Sequence, residues 1–447
     1  MDDQGRPSYL AVVSPFPSTW SKSHHLKNNR VGMAAGQLGQ EVLHGDEHEG
    51  IQFWKSYFEF SYYLLVCPFR FEWDCKRRTY HCHTNKVQTA LHYGVFGIFG
   101  SYYLLRLRAM WNTTSILAGL KATTTNKENP TAYFDMAVYF FDSFFMLILF
   151  LHFGRQKHKV FQVFKEFQFQ SDNEASIFPR YRRFNSLLGY HASKYRRTRL
   201  WSTLILMGCM STVVIKFLEV LQNDGWDLAQ FFRRRTEESK IIFLESEDLV
   251  EAAPWLFVFL NIGSTLYEKV LNDLGDILFT MSVLFLTNLV DSFVITLRNG
   301  SEPNMVVEQY KWLKKVTSAI NRAIGTMTFA FIAGNLPFFA TTVLEVFGTE
   351  TKNVFVRIRY IVACLYFFPS ICIGARANKK MDKVKDWICK QENYKKIPET
   401  KLNVFLHELS LHSVGLTAKG IVTINWNSVG SIISIILTYA LLKTQFK

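Results

Sequence analysis

Two acidic side chains, Asp135 and Asp142, stand among Tyr133, Phe134, Tyr139, Phe140, Phe141, Phe144 and Phe145 in an otherwise apolar segment. A carboxylate beside aromatic faces can hold a sugar hydroxyl or a cationic alkaloid. The competing reading is an interhelical ion pair, with Lys216 or Lys269 as the partner. A second group, Asn335, Pro337, Phe338, Phe339 and Thr342, offers amide and hydroxyl groups beside an aromatic stripe, where a proline can kink a helix and free a carbonyl. Tyr360 and Tyr366 add further aromatic wall, and Arg357 and Arg359 are placed to meet an acidic connection. The ligand-binding candidates are therefore Asp135, Tyr139, Asp142, Asn335, Phe338, Thr342, Tyr360 and Tyr366. Core packing competes with each of them. The cluster Cys75, His81, Cys82 and His83 fits no paired zinc framework, so no metal or other cofactor is expected.

These residues need elements to hold them, and the hydropathy pattern supplies those. The chain has 447 residues, 49% of them hydrophobic, with 40 Phe. That composition excludes a mainly disordered chain. The apolar residues fall in blocks of bilayer length, near 87–106, 133–153, 200–221, 324–347, 357–376 and 421–446. A longer block over 254–297 contains Glu268, Lys269, Asp273 and Asp276, so only part of it suits lipid. Seven spans follow, and the fold class is an all-α membrane protein with seven transmembrane helices. The stretch 51–70 is apolar but interrupted by Lys55 and Glu59; it reads as an amphipathic interfacial helix. Residues 1–50 are polar and read as a disordered tail, leaving 51–447 as one membrane domain.

Sidedness comes from the basic residues. The connections 154–199 and 376–396 are rich in Lys and Arg, whereas 222–253 is acidic. The basic loops are therefore assigned to the cytoplasm, which puts the N-terminus inside and the C-terminus outside. The net charge of +14 is a topology signal and not a nucleic-acid footprint, because its bases are split between two juxtamembrane loops. The sequon Asn112-Thr113-Thr114 falls in the first outer loop of this topology. No Walker A loop, nucleophile elbow or His-Glu-x-x-His run is present, so an enzyme is not expected.

The C-terminal helix carries the most specific pattern. It ends in Thr438-Tyr439, five residues from Ala440 to Thr444, and Gln445-Phe446. Cys67-Pro68-Phe69 precedes the first span, Leu416-Thr417-Ala418-Lys419-Gly420 leads into the last, and Glu308 begins an amphipathic stretch running into the fifth. Together with the inside N-terminus, these features over residues 51–447 resemble the insect gustatory receptor family, which is related to the insect odorant receptors. Lys443 and Thr444 depart from the family's hydrophobic stretch. Ala440 departs from its sugar-receptor subgroup, which carries Glu after Thr-Tyr.

The resemblance implies a ligand-gated cation channel of the plasma membrane, a homotetramer or heterotetramer with related receptors, opened by a small-molecule tastant. It also implies that the seventh helix of each subunit lines the pore and that Leu442, Gln445 and Phe446 form the constriction. Thr438, Leu442, Gln445 and Phe446 share one face at 3.6 residues per turn. A ring of Leu442 would close a narrow pore by dewetting, and Gln445 would offer carbonyl oxygens to a partly dehydrated cation. The fifth span is the expected gating lever, and 302–323 with 398–413 are expected to join subunits. Membrane lipid is the other expected partner. A receptor coupled to a soluble transducer, a transporter and a non-conducting membrane protein remain the alternative readings.

Overall fold

The computed structural model describes residues 52–74, 79–125, 146–166, 192–243, 247–298, 303–347, 354–390, 398–411 and 414–445. These residues are almost entirely helical. The order is α1 (Gln52–Tyr63), a β1–β2 hairpin (Arg70–Asp74 and Thr79–His83), α2 (Lys86–Thr125), α3 (Met146–Arg155), a helical segment over 157–166, α4 (Ala192–Asn223), α5 (Leu228–Ile242), α6 (Glu247–Ala252), α7 (Pro254–Arg298), α8 (Pro303–Phe347), α9 (Val354–Lys390), α10 (Glu399–Leu411), a short β3–β4 hairpin (Thr417–Ala418 and Val422–Thr423) and α11 (Trp426–Gln445).

The apolar blocks near 87–106, 200–221, 254–297, 324–347 and 357–376 each fall on one long helix, whereas of the second block only the short α3 is described and residues 133–145 lie outside the described residues. Among the described residues, α7 over Pro254–Ile295 and α9 are long and apolar enough to cross a membrane. The apolar part of α11, Trp426–Thr438, is shorter. The helices also overrun the blocks. α2 continues past residue 106 to Thr125, so the sequon at Asn112 is helical rather than part of a loop. Residues 107–125 include three Leu and three Ala, good helix formers, but also five Thr, so propensity alone does not account for the extension. α9 likewise runs on into the basic stretch to Lys390.

α7 is the axis of the bundle. It packs against α2, α4, α5, α8 and α9. Its second half, including Ile277, Leu278, Phe279, Met281, Phe285 and Leu286, is buried all round, the mark of a helix enclosed by others. Its first turns are different, with Trp255 and Phe259 exposed. At 1.5 Å per residue its 45 residues are roughly 67 Å long, about twice a hydrocarbon core. The helix therefore continues well beyond any bilayer.

The stretch expected to lie on the membrane surface is instead buried in protein. α1 is amphipathic, but its apolar face (Trp54, Tyr57, Phe58 and Tyr62) is turned into the core. The Phe58 ring lies 5.5 Å from Phe69, 5.2 Å from Phe71 and 5.8 Å from Phe153. Phe71 in turn stacks on Phe164 at 4.0 Å. Periodicity gives the apolar face of such a helix and says nothing about whether lipid or protein covers it. Phe58→Ala should cost about 3–5 kcal/mol, because its six aromatic neighbours, Trp54, Tyr57, Phe69, Phe71, Phe153 and Phe164, cannot collapse into the space. Denaturation of detergent-solubilised protein measures this; a change under about 1 kcal/mol would contradict the packing.

At the other end of the chain, the β3–β4 hairpin aims α11. Lys419 and Gly420 have φ values of 52° and 74°, and Ile421 N–H donates to Ala418 C=O at 2.9 Å. Positive φ at both central residues makes Ala418–Ile421 a type I′ turn, and because Ala418 pairs with Val422, Ile421 is an extra residue in the three-residue connection. Asn425 then caps α11. Its Oδ1 accepts from Ser428 N–H at 2.8 Å while its own N–H donates to Ser428 Oγ at 2.9 Å, a reciprocal capping box. Residues 417–423 are thus hairpin and not span, which starts α11 at Trp426 rather than at 421.

The hairpin is fastened to two helices. Asn321 of α8 donates from Nδ2 to Gly415 C=O and accepts from Thr417 N–H, both at 3.0 Å. Asn378 of α9 donates to Ile424 C=O at 2.7 Å. From there α11 lies on α8 and α9 by one narrow stripe, Val429, Ile432 and Ile436. That is the spacing of a single helix face. Most of the other apolar side chains are uncovered, Leu437 by 58% and Leu441 by 64%.

Candidate functional site

Five residues of α7, Thr265, Glu268, Lys269, Asn272 and Asp276, follow the i, i+3, i+4, i+7, i+11 pattern. That spacing gathers them on one face of the helix. The face opens on a cavity of about 260 Å³. α2 contributes Arg106, α4 contributes Lys216, and α9 contributes Arg359 and Ala363. α8 forms the apolar wall with Ala330, Phe331, Gly334 and Phe338, interrupted by Asn335. The cavity lies toward the end of the bundle that carries α5.

Ionisable groups inside an apolar bundle are costly and persist only when paired. Pairing is what the cavity wall shows. Lys216 Nζ is 2.9 Å from Glu219, and Arg359 Nε is 3.4 Å from the other oxygen of that carboxylate. Lys269 Nζ is 2.6 Å from Asp273, one turn further along α7. Thr212 donates to the second oxygen of Asp273. Tyr103 donates to Glu268, and Asn335 Nδ2 donates to Asp276 at 3.4 Å. Arg106 reaches Thr265 at 3.4 Å. Breaking one such pair leaves a buried charge uncompensated, at a cost of about 3–5 kcal/mol.

The apolar wall is equally built. Phe331 stacks on Phe279 at 4.1 Å and leans on Phe367 at 5.2 Å. Phe338 sits beside Tyr360 at 6.3 Å, and the Arg359 guanidinium lies over its ring at 6.0 Å. Tyr360 also touches Phe339 at 5.7 Å. A cation over an aromatic face contributes about 0.5–2 kcal/mol. Phe338 is therefore fixed by its neighbours before any ligand arrives.

Of the eight candidate ligand residues, Asn335 and Phe338 line this cavity. Tyr360 stands behind Phe338 as a support and does not reach the lining. Tyr366 packs its phenol against Gly208 of α4. Thr342 lies further along α8, and its side chain is outside the described residues. Asp135, Tyr139 and Asp142 also lie outside the described residues. Their suggested partners Lys216 and Lys269 are engaged with Glu219 and Asp273 on their own helices. Arg359 meets Glu219 of α4 rather than the acidic connection after it. That connection holds its own balance: the fully buried Asp224 carboxylate takes Arg234 at 2.9 Å and Arg235 at 3.4 Å.

What the sequence reading missed was the polar stripe of α7. Its acids were visible as interruptions of an apolar block, and their helical periodicity was the available signal. Pro337 produces no break, since α8 is helical from Pro303 to Phe347. Of the pore motif, Thr438 is exposed, while Tyr439, Leu442 and Gln445 are helical with side chains outside the described residues, as is Phe446 altogether. Among the described residues no group of three or more His, Cys, Asp or Glu is placed to hold a metal ion.

The cavity and the terminal helix are joined by one element. α8 supplies most of the apolar lining at 330–338, and it also carries Asn321 and packs directly on α11. The arrangement can bind a small molecule in a charge-lined cavity and pass a displacement of α8 to the hairpin and α11.

No protein-family model matches the sequence, and no curated protein does either. Solved structures do match. The insect olfactory receptor OR5 from Machilis hrabei superimposes with a TM-score of 0.59, at 12% identity, over 90% of this chain and 100% of that one. The same receptor in complex with eugenol gives a TM-score of 0.54 at the same identity and coverage. The chain has the fold of these receptors.

Proposed function

We propose that the protein is a chemosensory receptor of the gustatory type, acting as a ligand-gated cation channel of the plasma membrane. A small molecule occupies the charged cavity, α8 moves, and α11 opens a central pore in a tetramer of this chain or of this chain with related receptors. The observation that carries the reading is the continuity of α8 from the cavity wall to the hairpin and α11. The fold shared with an olfactory receptor supports it, and the eugenol bound by that receptor supports a small-molecule ligand. The terminal motif, Thr438-Tyr439 and Gln445-Phe446, supports the gustatory branch.

Seven spans with the N-terminus inside and the C-terminus outside belong to this reading. So does a pore lined by Leu442, Gln445 and Phe446. The exposed apolar face of α11 supports the assembly, because Leu437 and Leu441 would meet a neighbouring subunit or lipid at about 1.5–3 kcal/mol per buried side chain. A ligand opens such a channel only through its preference for the open state; about 2.7 kcal/mol of preference shifts the equilibrium a hundredfold.

Whole-cell recording tests the proposal. Cells displaying the protein at their surface should give a cation current within milliseconds of ligand addition, from a panel of sugars, amino acids and bitter compounds. A response that needs a soluble transducer, or a bound ligand with no current, would favour a coupled receptor or a non-conducting protein instead.

A further inference from the structure

The chemistry of the cavity wall narrows what it takes. Two of its polar atoms are buried without a hydrogen bond: Oδ1 of Asn272, an acceptor, and Nε of Arg359, a donor held only by its 3.4 Å ion pair with Glu219. An apolar ligand would leave both unsatisfied. A simple carboxylate would satisfy the donor alone, and a simple amine the acceptor alone.

The charges make the same division. Two cations from different helices, Lys216 and Arg359, share the carboxylate of Glu219, with Glu268 the next acid on the lining. Asp276 of α7 supplies negative charge on the same lining. Beside these groups, Phe331 and Phe338 offer an apolar surface. A volume of about 260 Å³ matches roughly nine waters at about 30 Å³ each, which suits a molecule of about ten non-hydrogen atoms.

We propose that the cavity binds a small zwitterion, a free α-amino acid with an apolar side chain. Its carboxylate sits at Lys216 and Arg359, its ammonium at Asp276 and Asn272, and its side chain against Phe331 and Phe338. A neutral polyol could satisfy the two orphan atoms but would leave the divided charges desolvated and unmatched. The inference rests on the receptor reading above, in which this cavity is the ligand site.

The test uses the full-length protein in detergent and four probes matched in shape or role: L-leucine, 4-methylpentanoate (leucine without its ammonium), 3-methylbutylamine (leucine without its carboxylate) and fructose. Calorimetric or thermal-shift titration should show leucine binding at least about tenfold more tightly than each of the others. Arg359→Gln should weaken leucine and leave 3-methylbutylamine unchanged; Asn272→Leu should weaken leucine and leave 4-methylpentanoate unchanged. Equal binding of the acid, the amine or fructose overturns the proposal, and so does a folded protein that leucine does not bind. The two readings fail separately. Leucine binding without current removes the channel and keeps the site, whereas a current evoked by another ligand without leucine binding removes the site and keeps the channel.

Discussion

Leu442→Ala is expected to raise the current that flows without ligand by at least about tenfold, equivalent to about 1.4 kcal/mol in the closed-to-open equilibrium. Leu442 lies in the last turns of α11, the helix proposed to line the pore. A closed hydrophobic constriction works by excluding water, and each subunit of a tetramer would contribute one isobutyl group to it. Replacing those groups with methyls widens the ring and removes about 0.8 kcal/mol of apolar surface per lost methylene. The change is read as basal conductance at equal surface expression, blocked by the same cation substitutions that reduce the ligand-evoked current. Gln445→Ala should act on permeation instead, altering relative ion currents with little change in basal opening. An unchanged basal current and unchanged selectivity in an otherwise responsive channel would remove α11 from the pore.

Gly325→Val should abolish the ligand-evoked current while leaving the cavity's binding in place. A Cβ at Gly325 would stand 3.2 Å from Lys419 N, 3.4 Å from Thr417 O and 3.5 Å from Lys419 Cα. Those are backbone atoms of the β3–β4 hairpin, which cannot swing aside as a long side chain can. The two added methyls must push the hairpin away from α8, at a cost of about 1–3 kcal/mol for overpacking. The two Asn321 hydrogen bonds to Gly415 and Thr417, worth about 0.5–1.5 kcal/mol each, would be strained with it. α11 follows the hairpin directly, so its position relative to α8 is what fails. Gly97→Ala is the matching control. A Cβ there meets nothing within 4 Å, and helix propensity makes the change stabilising by about 1 kcal/mol. A Gly325→Val channel that still opens normally would show that the hairpin carries no coupling.

Much of the architecture was legible in the sequence for one reason: bilayer-length apolar blocks and helical periodicity are local properties. The blocks beginning at 87, 200, 254, 324 and 357 each reappear on one continuous helix. The amphipathic lead from Glu308 is likewise the first part of α8. Local pattern failed where the deciding partner was distant. α1 has the periodicity of a surface helix, yet Phe69, Phe71 and Phe153 supply its cover and lie outside its own segment. The last span was started too early because Lys419-Gly420 makes a hairpin turn whose purpose appears only once Asn321 and Asn378 grip it. Asn335 and Phe338 were recognisable as cavity residues because they break or line an aromatic stripe on one helix. Arg106, Lys216 and Arg359 were not, since three separate helices deliver them.

The sequence by itself determined the helical class, the order and approximate extent of the long helices, the charge asymmetry of their connections and the terminal Thr-Tyr/Gln-Phe pattern. Those follow from composition and spacing along the chain. Only the tertiary structure decided which charges meet. Glu268, Lys269, Asp273 and Asp276 read in sequence as defects in an apolar block, and became a site when α2, α4, α8 and α9 closed around one face of α7. A buried charge acquires its meaning from its partner, and partners up to about 160 positions away, such as Arg106 for Thr265, are chosen by packing and not by neighbourhood in the chain.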